Sequence, residues 1–199
     1  MPVNRNSKSW WLLVPLGLLL SVTTAVWLRT ATSAPVALDF STLTDMHGRP
    51  GNDADFVGRY LLVAFGYTSC PDVCPLTLAA IHRALQNLGT ASSELAPVFI
   101  TVDPQRDTPD RLAVYLNPFD PRIVGFTGSA GAIAASAAAF HVEFQAQQIQ
   151  GTYSVDHTAL LFLVDPRRHI VSEIPENLPS RDLAQRIIQA FNEARSATR

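Results

Sequence analysis

The chain has 199 residues, enough for one ordinary domain plus an appendage. That length can bury a sizeable core without disulfide staples. The net charge is −2, which excludes a general basic field for nucleic acid.

Residues 10–28, "WWLLVPLGLLLSVTTAVWL", carry no charge across 19 positions. At about 1.5 Å per residue they match a hydrocarbon core of about 30 Å. Trp10, Trp11 and Trp27 mark the two ends, where amphipathic rings favour the membrane interface. Arg5 and Lys8 precede the stretch, so residues 1–9 are expected in the cytoplasm, with the rest of the chain across the membrane. A cleaved signal peptide is the rival reading, with Ala31 and Ser33 as the small residues before the cut. The apolar run exceeds the usual signal length, so an uncleaved anchor is preferred. Residues 29–36 read as a tether, and 37–199 as the folded domain.

A strand is expected over 38–43, then a turn in "MHGRPGND", residues 46–53. "YLLVAFGY", 60–67, reads as a buried strand. Pro75 suits the opening turn of a helix, and Leu78, Ile81, Leu85 and Leu88 give it one apolar stripe to about Gly89. Residues 96–103 form another buried strand. Thr108 is the N-cap and Pro109 the first position of the next helix. Residues 122–126 are a strand, and Ser129 caps an Ala-rich helix to about Phe140. Residues 141–147 alternate weakly, as an exposed-face strand does. Residues 158–165 are a buried strand, paired antiparallel with 169–174 across a tight connection. A final helix starts at Ser180. Strands alternating with helices imply an α/β three-layer sandwich with a mixed central sheet.

Both cysteines fall in "FGYTSCPDVCPLTL", residues 65–78, at a strand-to-helix turn. With the helix starting within 71–75, Cys70 and Cys74 lie about one turn apart on one side. The helix N-terminus favours thiolates, so two adjacent thiols of low pKa near the surface are expected. They could form a disulfide, bind a soft metal, or be inert and buried. Structural zinc usually needs four ligands, which two cysteines and a histidine leave short unless Asp72 joins. Copper suits two thiolates with one imidazole.

Of the five histidines, His157 sits just before the strand 158–165, where a rigid element meets a loop. His82 is two turns beyond Cys74, too far to share a metal. His47 and His141 have no nearby motif, and His169 follows an exposed turn. Asp156 is a candidate to orient His157, and Asp72 to tune the cysteine pair or cap the helix. Tyr67 either lines the site or packs the strand end. Asp103, Arg106 and Asp107 are expected to order the loop beside it.

"FGYTSCPDVCP", "VDPQRDTP" and "YSVDHTALLFLVD" together resemble the Sco/SenC family of cytochrome c oxidase assembly proteins, over about residues 38–194. The resemblance implies a thioredoxin-like domain anchored by one transmembrane helix on the periplasmic side of the inner membrane. It implies one copper ion, as Cu(I) and with some geometric change Cu(II), on Cys70, Cys74 and His157. The implied partner is the copper-centre subunit of the oxidase, alongside other copper chaperones or thiol reductants. Thr158 stands where the family often has serine, and both keep a hydroxyl. A thiol–disulfide oxidoreductase is the alternative, with Cys70 attacking and Cys74 resolving.

Overall fold

The computed structural model describes residues 35–149 and 151–197. The expected membrane span at 10–28 lies outside these residues. Among the described residues no helix is long and apolar enough to cross a membrane. The last two residues of the expected tether already belong to the domain, because the Val36 N–H donates to the Arg168 carbonyl.

The elements in chain order are β1 (Leu43–Asp45), β2 (Tyr60–Gly66), α1 (Val73–Leu88), β3 (Leu95–Thr101), α2 (Pro109–Leu116), β4 (Val124–Gly128), α3 (Ala130–Ala139), β5 (Phe144–Ile149), β6 (Thr152–His157), β7 (Leu160–Val164), β8 (Ile170–Pro175) and α4 (Ser180–Ala197). Six strands form one sheet in the order β1-β4-β3-β2-β7-β8. β3 is parallel to both β2 and β4, while β1, β7 and β8 run antiparallel to their neighbours. The mixed sheet expected from the sequence is therefore present. β5 and β6 pair as a separate antiparallel ribbon.

Side-chain alternation along the central strands builds two cores. Tyr60, Leu62 and Ala64 of β2 face Leu78, Ile81 and Leu85 of α1, with Leu183 and Ile187 of α4. Leu61, Val63 and Phe65 face the other way, toward Ile133 and Ala137 of α3 and Val155 of β6. Both faces of β2 are buried, so it reads as a continuous apolar run rather than an alternating one.

Helix starts follow their caps. Thr108 accepts from the Arg111 N–H with Pro109 behind it, and Ser129 accepts from the Ala132 N–H. Two expected strands differ. Residues 40–42 form a short 3₁₀ turn because the Asp39 carboxylate accepts the Ser41 N–H, leaving only 43–45 as strand. β4 begins at Val124 because Asp120 accepts from the Arg122 backbone, and Ile123 N–H closes on the Asp120 carbonyl.

Two features bear on stability. Gly66 ends β2 where α1 comes closest: a Cβ there would lie 2.8 Å from the Phe99 ring and 2.9 Å from Cys74 Sγ. Glu176, just past β8, is buried, and its Oε2 has no hydrogen-bond partner. Burial raises its carboxyl from 4.5 to about 7.

Gly66→Ala is expected to cost about 1–3 kcal/mol by overpacking. The measurement is the denaturant midpoint at unchanged slope. For Glu176, the raised native pKa penalises folding only where the unfolded chain ionises first. The cost is absent below about pH 4.5, grows toward pH 7 and is full above it. Glu176→Gln should therefore shrink the stability difference between pH 4.5 and pH 8 by about 3 kcal/mol, at about 1.4 kcal/mol per unit. Denaturant melts of both proteins at both pH values check this, and an unchanged difference would contradict it.

Candidate metal centre

Cys70 lies in the turn leaving β2, its N–H bonded to the Tyr67 carbonyl at 3.2 Å. Cys74 lies in the first turn of α1, four residues on. The Cys74 N–H points at Cys70 Sγ at 3.4 Å, so the helix start directs a backbone donor at the first sulfur. Both thiols are free.

The two sulfurs are not equivalent. Cys70 is half-buried, but Cys74 is 3% exposed beneath the helix start. Burial pushes the Cys74 thiol up. A backbone hydrogen bond with Tyr67 partly opposes this, and Cys70 and Glu176 add to it. The expectation of two surface thiols of low pKa is thus corrected at Cys74, because α1 packs its first turn onto the sheet. Asp72 occupies the N-cap position but its side chain makes no capping hydrogen bond. It stays exposed beside the cysteines.

His157 comes from the far side of the chain. It is the last residue of β6, a strand that the sequence reading did not separate from the approach to β7. Its Nε2 lies 3.9 Å from Cys74 Sγ. Its Nδ1 is 3.1 Å from the Thr158 carbonyl, which can only accept. Nδ1 therefore carries the proton, and the Nε2 lone pair faces the sulfur. Burial pushes the imidazole pKa down, with the Thr158 carbonyl and Asp156 opposing, which favours the neutral ring. The orienting acceptor is this carbonyl rather than Asp156, which is exposed on the opposite face of β6. The Thr158 hydroxyl accepts from the Glu143 N–H at 3.1 Å, tying the end of β6 to the start of β5.

The neighbouring loop, 102–108, explains the "VDPQRDTP" motif. Asp107 is fully buried. It accepts from the Thr68 N–H at 2.9 Å, the Thr68 hydroxyl at 2.5 Å and the Thr101 hydroxyl at 2.6 Å. Arg111 adds bonds to the Thr68 and Ser69 hydroxyls. The backbone leading into Cys70 is held on both sides. Asp103 pairs with Arg106, whose guanidinium sits 3.7 Å above the Tyr153 ring. Tyr67 meets His157 edge to face at 6.4 Å, so it lines the site.

Thr68, Arg111, Tyr153 and Glu176 were not singled out from the sequence. Tyr153 could have been: in "TYSVDH" Tyr153, Val155 and His157 alternate with polar residues, and Gly151 supplies the preceding turn at φ 84°. The remaining partnerships span tens of residues and leave no local pattern. Of the other histidines, His82 lies 3.4 Å from Asp120 and His169 3.4 Å from Asp165.

Among the described residues, no three His, Cys, Asp or Glu side chains already enclose a metal-sized site. The donor chemistry nevertheless fits a soft ion. A metal bonded to sulfur and nitrogen at about 2.3 and 2.1 Å requires the two atoms within about 4.4 Å. The Cys74–His157 separation of 3.9 Å meets that limit. Cys70, half-buried one helical turn before Cys74, is the candidate third donor.

The SCO1/SenC family model matches residues 29–192. Protein sco1 of Schizosaccharomyces pombe is 37% identical over 151 residues, covering 73% of this chain and 57% of that protein. The mitochondrial SCO1 homolog of Homo sapiens is 32% identical over 150 residues, covering 73% and 50%. The chain thus spans about half the length of these curated relatives. Bradyrhizobium japonicum ScoI, solved with copper bound, superposes with a TM-score of 0.69 at 34% identity, covering 80% of this chain and 99% of that one. Yeast Sco1 with copper bound gives 0.69 at 30% identity, covering 75% and 85%. With that family match across most of its length, and the shared fold, the chain belongs to the SCO1/SenC family.

Proposed function

We propose that this protein binds one copper ion through Cys70, Cys74 and His157, and that it assists assembly of the dinuclear copper centre of cytochrome c oxidase. The observation that carries this reading is the approach of His157 Nε2 to Cys74 Sγ across 83 residues of sequence. A fixed imidazole beside a cysteine pair is a donor set that suits copper. The copper-bound ScoI and Sco1 structures support it.

The chain's own residues divide the work. Cys74 gives a shielded sulfur at the base, and Cys70 an accessible one. The Thr158 carbonyl holds the imidazole in the tautomer that can donate. His157 opens onto a depression lined by Glu143, Gln145, Asp156 and Thr158, so the histidine side is reachable from solvent. Cargo passes by ligand exchange to the oxidase copper-centre subunit, starting from this exposed edge. In this reading residues 10–28 anchor the chain in the inner membrane, with the domain on the periplasmic side.

A second reading, thiol–disulfide exchange, is favoured by one observation. Cys70 is accessible while Cys74 is buried, the order expected of an attacking and a resolving thiol.

Titrating the reduced protein with Cu(I) against a competing chelator tests the first reading. The parent is expected to bind one equivalent, and His157→Ala to bind more than about tenfold more weakly, or about 1.4 kcal/mol. Equal stoichiometry and affinity in the two proteins would remove His157 from the site. For the second reading, Cys74→Ser should accumulate a mixed disulfide on Cys70 with an oxidised partner peptide, seen by mass spectrometry. A variant that forms no adduct would exclude exchange through Cys70.

A further inference from the structure

We propose that Arg106 is a positioning residue for His157: by clamping Tyr153 it sets the imidazole against the cysteine pair. The inference rests on the three-donor reading above.

The ribbon β5–β6 shares no strand ladder with the six-stranded sheet. The sheet holds His157 through the two-residue link into β7, and the rest of β6 is held by side chains, where Tyr153 is gripped at three points. Arg106 Nη1 donates to the Tyr153 carbonyl at 2.9 Å. The guanidinium carbon lies 3.7 Å above the centre of the Tyr153 ring. The Tyr153 hydroxyl donates to Asp103 Oδ1 at 2.8 Å, and Asp103 is itself paired with Arg106. Asp103 is 4% exposed, so this pair is sheltered from solvent screening.

Tyr153, Val155 and His157 lie on one face of β6 by the period of two. Holding Tyr153 therefore holds the face that carries the imidazole. The same guanidinium sits 5.7 Å from the Tyr67 ring, which meets His157 edge to face. One residue on, Asp107 holds Thr68 and the approach to Cys70. Two adjacent residues of one loop thus set the two halves of the site, Arg106 the histidine and Asp107 the cysteines. Arginine suits this place because its planar fork stacks and donates at once, which an ammonium cannot do.

The test uses the full-length reduced chain in detergent micelles, with Arg106→Met, Arg106→Lys, His157→Ala and the Arg106→Met/His157→Ala double variant. Methionine keeps apolar bulk in place of the arginine stem. Arg106→Met is expected to weaken copper binding about tenfold, toward the His157→Ala value, and to reduce the nitrogen hyperfine signal of bound Cu(II). The double variant should bind no more weakly than His157→Ala alone, because Arg106 acts only through the histidine. A merely structural role would make the two losses additive. Lysine should restore less than half of the affinity loss. In the metal-free protein, the His157 Nδ1–H resonance, shielded by its bond to the Thr158 carbonyl, should broaden into solvent exchange in Arg106→Met. That readout does not depend on copper. If His157→Ala leaves binding unchanged, the three-donor reading fails, while the metal-free spectrum still judges the clamp. Parent-like copper affinity and a parent-like Nδ1–H signal in Arg106→Met would overturn the inference. If Arg106→Met does not fold, Tyr153→Leu, which removes both the ring under the guanidinium and the hydroxyl bond to Asp103, gives the same readouts. Parent-like values there would overturn it equally.

Discussion

A carboxylate removed from water must be met by several donors, and Asp107 shows how the site uses that requirement. It is fully buried and takes its hydrogen bonds from the Thr68 backbone, the Thr68 hydroxyl and the Thr101 hydroxyl. Thr68 stands two residues before Cys70, and Thr101 closes β3. One side chain thus welds the exit of β2 to the exit of its parallel neighbour. The cysteine turn starts from that fixed point, two residues before Cys70.

The rest of the site is arranged around that fixed turn. α1 packs its first turn against the end of β2, and Gly66 leaves room for Cys74 Sγ to sit against the strand. That close approach buries one sulfur and leaves the other at the edge. The Ala-rich α3 and the inner face of β6 fill the opposite side of the sheet, with Ile133, Ala137 and Val155 in a common core. The histidine is therefore delivered from the layer opposite to the helix that carries Cys74. The site lies where the two layers meet, beyond the carboxyl end of β2, as open α/β sheets tend to arrange their sites.

Much of this frame was legible in the sequence because the signals are local. Thr108 with Pro109, and Ser129 before alanines, announce helices through chemistry confined to one turn. The unbroken apolar runs at 60–66 and 160–164 announce strands buried on both faces. The cysteine spacing and the position of His157 singled out the candidate donors. What stayed hidden is what depends on distance along the chain. Asp107 meets Thr68 from 39 residues away, and Arg106 meets Tyr153 from 47. The low pKa assigned to both thiols failed at Cys74 because a helix start favours a thiolate only where water can still reach it. β6 is harder to see because its short alternation of Tyr153, Val155 and His157 runs almost directly into the apolar strand that follows it.

The separate ribbon has a consequence for how such a protein can change. Most of the two cores belongs to the six-stranded sheet and its helices, whereas the imidazole stands on a two-stranded ribbon that lends the core Val155 but whose partner strand is largely exposed. Gln145, Gln147 and Asp156 are exposed, so substitutions there change the polar surface and charge of the ribbon without entering either core. Mutation can loosen or tighten the hold on a bound ion while the scaffold that presents the two sulfurs stays the same.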